Sequence, residues 1–388
     1  MKIAMLAGEV SGDRLGAGLI NALRQHYPKA EFEGIGGQCM LAQGFKSLFP
    51  LEKLSVMGVS EVLFHLPELL WIRRTLLQYL TTHPPAVVIG IDAPEFNLPL
   101  ERRLKAQGIL TVHYVSPQVW AWRPGRLRTI AGAIDLMLAL LPFETTLYHQ
   151  YGIPVHYVGH PLADEIPWQS DRISARQALG LTASGSPLVA LLPGSRMSEA
   201  QRLAPLFLEV IAWLRKQLPV AGVLPAATTP IYRYCATLLA NRRPQLPITL
   251  VEGRAREVLT AADVALVASG TATLETLLIK RPMVVAYRVA PLTAWLASRF
   301  IRVSRFALPN LLAGKDVVPE FIQQAATVTN IGPAVLNLLT TPPNGASWLA
   351  EFEALHRHLR CNANAQAALA IANLLANPPF ARRATGRG

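Results

Sequence analysis

The sequence predicts an α/β protein built from two doubly wound domains in series, and three observations lead there. Short apolar runs of strand length alternate with amphipathic stretches of helix length, first in one half of the chain and again in the other. At 388 residues the chain is longer than one core usually organises. The alternation breaks once, around Gly159–Trp168, where a strand-like Val155–Val158 runs into His160-Pro161 and a polar stretch, Gln169–Ala175.

In the first half, Ile3–Ala7 reads as a buried strand and Leu15–His26 as an amphipathic helix. Ala86–Ile91 is a second strand, Leu98–Gln107 a helix, Leu110–Val115 a strand and Leu136–Leu140 a further buried strand. In the second half the strands are Leu188–Leu192, Val220–Pro225, Ile248–Val251, Val264–Ala268 and Met283–Ala286, with helices at Leu203–Gln217 and Thr273–Ile279. Residues 1–165 and 166–345 are therefore assigned to the two domains. The helical periodicity of 346–376 marks C-terminal helices expected to return to the first domain, and 377–388 is a basic tail expected to be disordered. Buried strands in series with helices between them imply parallel sheets, whose ligands bind beyond the C-terminal ends of the strands.

Composition narrows the class. Hydrophobic residues make up 51% and charged residues 16%, too apolar for a disordered chain. The formal net charge of +12 points to an anionic partner: phosphates, nucleic acid or an anionic membrane surface. No zinc-finger spacing or aromatic RNA-binding signature is present, which places nucleic acid behind the others. The cysteines, Cys39, Cys235 and Cys361, are far apart, arguing for a reducing compartment and against a structural metal. The apolar N-terminal run is too short for a signal peptide, and no run of about 18 uncharged apolar residues occurs. A cytoplasmic location is expected, with contact to a membrane surface open.

The loops after the strands carry the candidate chemistry. Gly8-Glu9-Val10-Ser11-Gly12-Asp13 joins the first strand to the first helix. Its glycines allow close approach of a ligand, and a helix start favours anions, but the spacing is not GxGxxG; a tight turn with Ser11 or Asp13 as cap is the plainer reading. Asp92, at the end of Gly90-Ile91, could be a general base for a hydroxyl nucleophile, or it could cap the helix that Pro94 begins. Trp120-Ala121-Trp122-Arg123 sets aromatic faces beside cations, suited to sugars, acyl chains or an interface. In Gly194-Ser195-Arg196, a glycine permits approach, a hydroxyl donates and a guanidinium neutralises a diphosphate; a capped turn with a solvated arginine is the alternative. Ser269-Gly270-Thr271 opens a helix, and Glu275 within it could accept a ribose diol or merely offset the helix dipole. Asn310, framed by Leu308-Pro309 and Leu311-Leu312, is an amide in need of a partner. His113 and His160 read as packing groups, and no cluster has metal-ligand spacing. Phe64–Arg74 and Pro291–Phe306 mix apolar and basic residues as interfacial helices do, or as ordinary packed helices do.

In this order, these motifs resemble the lipid-A-disaccharide synthase family. The resemblance runs from Ala7 to about Ala367. It also includes Val56-Met57-Gly58, Leu141-Pro142-Phe143-Glu144, Gly159-His160, Tyr287-Arg288 and Arg360-Cys361-Asn362. It implies two Rossmann-like domains facing a central cleft, the GT-B arrangement. The implied reaction is inverting transfer of 2,3-diacylglucosamine from UDP to the 6-hydroxyl of 2,3-diacylglucosamine 1-phosphate, giving a β-1,6-linked disaccharide 1-phosphate and UDP without a metal or other cofactor. By the same resemblance Asp92 is the candidate base. UDP falls to Gly194, Ser195, Arg196, Ser269, Gly270, Thr271, Glu275 and Asn310. The sugars or acceptor fall to Gly8, Ser11, Gly12, Asp13, Trp122 and Arg123. The enzyme would sit peripherally on the cytoplasmic face of the inner membrane, and a homodimer is compatible. The chain departs from the family at Met197-Ser198-Glu199, where an acidic residue or glycine often follows the GSR triplet, and in its basic tail. A UDP-sugar 2-epimerase on the same fold is the alternative reading, and a non-catalytic nucleotide-lipid binding protein a third.

Overall fold

The computed structural model describes residues 1–54, 59–117, 125–181, 186–242, 245–290, 305–341 and 347–379, with the side chains of 59–65 left aside. The chain divides into two compact units, Met1–Asp164 together with Leu359–Gly388, and Glu165–His358.

The first unit is a seven-stranded sheet in the order β3-β2-β1-β4-β5-β6-β7. Its elements in chain order are β1 (Lys2–Ala7), α1 (Val10–His26), β2 (Glu31–Gly36), α2 (Gln38–Leu41), β3 (Lys46–Pro50), α3 (Val59–Thr82), β4 (Val87–Ile91) and α4 (Pro94–Ala106). Then follow β5 (Thr111–Tyr114), α5 (Arg126–Ala133), β6 (Leu136–Ala139), α6 (Pro142–Gln150), β7 (Val155–Tyr157) and α7 (Pro161–Glu165). The strand pairs are parallel, as the apolar runs imply. Strands β2 and β3 are absent from the sequence reading for a physical reason. Glu31-Phe32-Glu33-Gly34-Ile35-Gly36 has no apolar run, because Glu33 is buried as a charged partner of Lys2 and Tyr79, and β3 is an edge strand with only partial burial. The larger core joins β1, β2 and β4 to α1 and α3; a smaller one gathers Leu98, Leu127, Ile130, Met137, Tyr148 and Ile153 around α5 and α6.

The second unit begins with α8 (Arg172–Ala178) and β8 (Leu188–Leu192). It continues through α9 (Met197–Leu214), β9 (Ala221–Ala226), α10 (Thr229–Ala240), β10 (Ile248–Glu252), α11 (Ala255–Ala261), β11 (Val264–Ala268) and α12 (Thr271–Leu278). It ends with β12 (Met283–Tyr287), α13 (Leu308–Ala313), β13 (Glu320–Ile322), α14 (Val328–Thr340) and α15 (Ser347–Leu359). Its six strands run β10-β9-β8-β11-β12-β13, again in parallel pairs. The core centres on Phe207, Ile211 and Leu214 of α9 against β8, β9 and β11. Helices α1, α4 and α9 each start earlier than their apolar periodicity, because their first turns lie at the polar sheet edge.

The C-terminal helices part company. The last helix, α16 (Ala363–Ala376), packs its alanine face into the core of the first unit. Helix α15, expected to return with it, counts almost entirely with the second unit. Contacts that hold it there include the Lys315–Glu351 ion pair at 2.7 Å, the His356 ring stacked on Trp168 at 4.9 Å, and the Lys280 ammonium 2.9 Å from His356 Nδ1. The start of α16 is fixed by Asp164, whose carboxylate accepts the amides of Asn362 at 2.9 Å and Ala363 at 2.6 Å. The expected disorder of the tail concerns residues that from 380 on lie outside the described ones.

Two charge-assisted bonds at a helix start are worth about 1–2 kcal/mol together. Asp164→Ala is therefore expected to lower unfolding free energy by about that much. It should also speed limited proteolysis between residues 359 and 363, with Asp164→Asn in between; cleavage at the wild-type rate would show that the cap does not hold the helix.

Candidate active site

Strand order reverses once in each sheet, between β1 and β4 in the first unit and between β8 and β11 in the second. At such a point the flanking helices lie on opposite faces, and a crevice opens beyond the strand ends. Ala7 pairs with Ile91, which puts Gly8 beside Asp92. Leu192 pairs with Val267, which puts Pro193-Gly194 beside Ala268-Ser269. Each pair of candidate loops thus meets at the switch point of its own sheet.

In the first unit, Asp92 and Ala93 both take left-handed backbone angles, φ 54° and 44°. Non-glycine residues there cost about 1–3 kcal/mol each and persist only where the surroundings hold them. The Asp92 amide donates to the Tyr114 carbonyl at 2.8 Å, and its carbonyl accepts from Asn97 Nδ2 at 2.8 Å. Helix α4 starts at Pro94 with Ala93 as its cap residue, so Asp92 does not cap it. The half-buried Asp92 carboxylate is left at the strand edge. Gly8 is required opposite, because a Cβ on it would overlap the Ala93 methyl. Ser11 is exposed on the first turn of α1, and Gly12 is buried behind it.

Asp13 does something other than face a sugar. It is buried, and its carboxylate accepts the amides of Gly37 (2.7 Å), Cys39 (2.9 Å) and Met40 (3.0 Å). It is the anionic cap of α2, buried and turned to three backbone amides of this unit rather than toward the strand-edge loop. His113 and His160 are packing groups. His113 Nδ1 lies 2.9 Å from Glu101, both fully buried, and His160 Nδ1 accepts the Leu162 amide while loss of hydration pushes its pKa down to about 4. Trp120, Trp122, Arg123, Val56-Met57-Gly58 and most of Pro291–Phe306 fall outside the described residues.

In the second unit, Gly194 has φ 115°, and a Cβ there would overlap the Glu199 carboxylate. That carboxylate reaches back to the amides of Ser195 at 3.2 Å and Arg196 at 3.4 Å. The first helix start at the switch point is thus already occupied by a resident anion. The Arg196 side chain stays 70% exposed, with its guanidinium 3.9 Å from Glu199, and is free to meet a second anion. The start of α12 is more open. Gly270 (φ 151°) is exposed with nothing within 4 Å of where a Cβ would sit, and Thr271 is exposed beside it. Ser269 Oγ donates to the Phe306 carbonyl at 3.1 Å. Glu275, half-buried, faces the partly exposed Arg256 guanidinium at 3.8 Å. Asn310 is 1% exposed, and its amide is fully used. Nδ2 donates to Val318 O at 2.8 Å and Glu320 at 2.5 Å, and Oδ1 accepts the amides of Val317 and Val318. It anchors the segment beside Ser269 and presents nothing to a nucleotide.

The family model for lipid-A-disaccharide synthetase matches residues 3–371. A lipid-A-disaccharide synthase from Alkalilimnicola ehrlichii is 54% identical over 373 residues, covering 96% of this chain and 98% of its own. The chain belongs to this family. It is accordingly a glycosyltransferase of lipid A biosynthesis. Among solved structures, the glycotransferase of kitacinnamycin aligns with TM-score 0.64 at 16% identity, covering 96% of this chain and 98% of its own. UDP-GlcNAc 2-epimerase from Neisseria meningitidis, bound to UDP-GlcNAc, aligns with TM-score 0.63 at 14% identity, covering 97% and 100%. At such identities the likeness shows the shared two-sheet GT-B fold and no more. The epimerase reading is therefore not favoured against relatives about half identical over nearly the full length.

Among the described residues, no cluster of three His, Cys, Asp or Glu could hold a metal ion, and no helix is long and apolar enough to cross a membrane. The sequence assigns no site role to Glu199, Asn97 or Glu320, although all three help shape the loops. Glu199 carried a signal: a carboxylate three residues after Arg196, the spacing of a capping box. Asn97 and Glu320 carried none, since nothing in one dimension sets Asn97 against Leu6 and Asp92 or Glu320 against Phe306, Ala307 and Asn310.

The cap role of Asp13 has a measurable consequence. Asp13→Ala leaves three amides without their acceptor and is expected to cost at least about 2 kcal/mol of unfolding free energy. Asp13→Asn, which keeps one acceptor oxygen, should cost less. Urea unfolding checks both; a wild-type midpoint for the alanine variant would return Asp13 to a surface role.

Proposed function

We propose that this family member transfers a 2,3-diacylglucosamine from UDP to the 6-hydroxyl of 2,3-diacylglucosamine 1-phosphate, with inversion. The observation that carries this reading is the pairing of candidate loops at both switch points. One pair offers a carboxylate at a strand edge; the other offers an exposed guanidinium beside an exposed helix start. A single displacement needs these two things: a base for the attacking hydroxyl and cationic stabilisation for the leaving group.

In this mechanism the acceptor's 6-oxygen attacks the anomeric carbon as the bond from that carbon to the diphosphate oxygen breaks. Asp92 takes the hydroxyl proton. The electron pair leaves with UDP, whose added charge is met by Arg196 and by the amide dipoles at Gly270-Thr271. Glu275, released from Arg256, accepts the ribose diol. Ser195 and Ser269 flank the diphosphate, and Gly194 lets it approach. Gly8 and Ser11 border the acceptor sugar and Gly12 packs behind them, with Trp122 and Arg123 assigned to the same side on sequence grounds. Asn310 and Asp13 act behind the surface. Both substrates carry acyl chains, so the enzyme works from the cytoplasmic face of the inner membrane; the net charge of +12 favours that anionic surface.

Asp92→Asn is expected to lower kcat about 100-fold or more while UDP affinity stays within about twofold, the scale of losing a general base. Arg196→Ala should weaken UDP binding and kcat/KM by about 10–100-fold, as expected for a lost charge-assisted contact. UDP release with defined acyl donors and acceptor reads both. Wild-type turnover in Asp92→Asn would remove the base, unchanged kinetics in Arg196→Ala the diphosphate site, and epimer formation from UDP-sugar alone the transferase reading itself.

A further inference from the structure

We propose that Asn97 is a positioning residue for the transfer: by holding the left-handed Asp92-Ala93 turn, it sets the direction of the Asp92 carboxylate. The inference rests on the reading of Asp92 as the base, and it adds a residue for which helix α4 alone supplies no reason.

Asn97 lies in the second turn of α4, 1% exposed, too far in to cap the helix. Its Nδ2 donates twice, to the Asp92 carbonyl at 2.8 Å and to the Leu6 carbonyl at 3.1 Å. Leu6 is two residues before Gly8, and the Gly8 backbone leaves just the room that the Ala93 methyl fills. One amide therefore ties together the ends of β1 and β4, the two strands whose loops form the acceptor-side pair. The other end of the same side chain is used less: among the described residues, the buried Asn97 Oδ1 has no hydrogen-bond partner. A buried acceptor left unsatisfied is a cost that an apolar residue would avoid, so the worth of this amide lies in its two donated bonds.

The helix that carries Asn97 is itself pinned. One turn later, Glu101 is fully buried with its carboxylate on His113 Nδ1, in the space beside Gly90, where a Cβ would overlap Glu101 Oε1. Gly90 pairs with His113 across β4 and β5, so the pair fixes α4 over the strand that leads into Asp92. Without Asn97, the Asp92 carbonyl loses its partner, and the turn is freed to relax toward commoner backbone angles. A displacement of about 1 Å at a catalytic group is enough to cost about 100-fold in rate.

The test is a set of kinetic variants in the full-length enzyme. Asn97→Ala is expected to lower kcat about 10–100-fold, with donor KM and UDP affinity within about twofold. Asn97→Ser, which restores one donor, should recover part of the loss. In an Asp92→Asn background, Asn97→Ala should cost less than about twofold more, because both changes remove the same function. A kcat for Asn97→Ala within twofold of wild type, with Asp92→Asn inactive, would overturn the proposal and leave the base standing. Fully multiplicative losses in the double variant would overturn it too, showing a merely structural role. Wild-type turnover in Asp92→Asn would instead sink the base reading beneath it. If Asn97→Ala does not unfold cooperatively, Asn97→Ser and its Asp92→Asn double variant carry the same criteria.

Discussion

The constraint on which the rest depends is the reversal of strand order at β1/β4 and at β8/β11. Parallel strands deliver their loops to one edge, and the reversal separates the helices there. Once Ala7 is in register with Ile91, Gly8 and Asp92 must be neighbours, although 83 residues of chain separate them in sequence. Once Leu192 is in register with Val267, Gly194 must lie near Ser269. No side chain in either loop chooses its neighbour; hydrogen bonding and burial in the strands choose it. The four switch-point strands accordingly end on buried aliphatic residues, Ala7, Ile91, Leu192 and Ala268, and the polar candidates follow in the loops beyond.

A second theme is that several polar groups at these edges are spoken for. Glu199 occupies the amides at the start of α9, Asp13 those at the start of α2, and Asn310 and Glu320 each other and the backbone around Phe306. Buried groups whose donors and acceptors are taken up internally hold the edge together rather than face a ligand. Among the described residues, the second unit's switch point presents the exposed Arg196 guanidinium, the exposed start of α12 at Gly270, and Glu275 facing Arg256. That set is cationic and dipolar where a diphosphate would lie and carboxylate where a diol would lie, which is the polarity a nucleoside diphosphate demands.

The sequence made the architecture legible because buried parallel strands are nearly continuous apolar runs. Leu188–Leu192 and Val264–Ala268 match their strands residue for residue. It failed at β2, where Glu33 and two glycines replace the run, and at β13, three residues long. It also placed α15 with the first unit, because periodicity shows a helix but not its docking partner; Trp168, Lys280 and Lys315 supply that. At the site, glycines and charged residues after strands were readable as loop chemistry. Whether a given polar residue faced outward was not. Asp13 and Asn310 look like Ser11 and Arg196 in one dimension, and only long-range amides from 24 or 7 residues away distinguish them.

The Asp92-Ala93 turn shows how these levels meet. Two consecutive left-handed residues would most simply be glycines. Position 92 must carry a carboxylate if it is to act as a base, so glycine is unavailable there. At position 93 the alanine methyl narrows the backbone's alternatives, and the glycine that the geometry requires appears across the sheet instead, at Gly8. Rigidity is thus placed next to the Asp92 carboxylate, the proposed base, and clearance next to the partner loop. The reverse assignment, Ala at 8 and Gly at 93, would fill the same volume but leave Asp92 on a freer hinge. A strained turn held by the Tyr114 carbonyl, by Asn97 and by the Ala93 methyl against Gly8 has few ways to move, which is the property a general base needs and a surface loop ordinarily lacks.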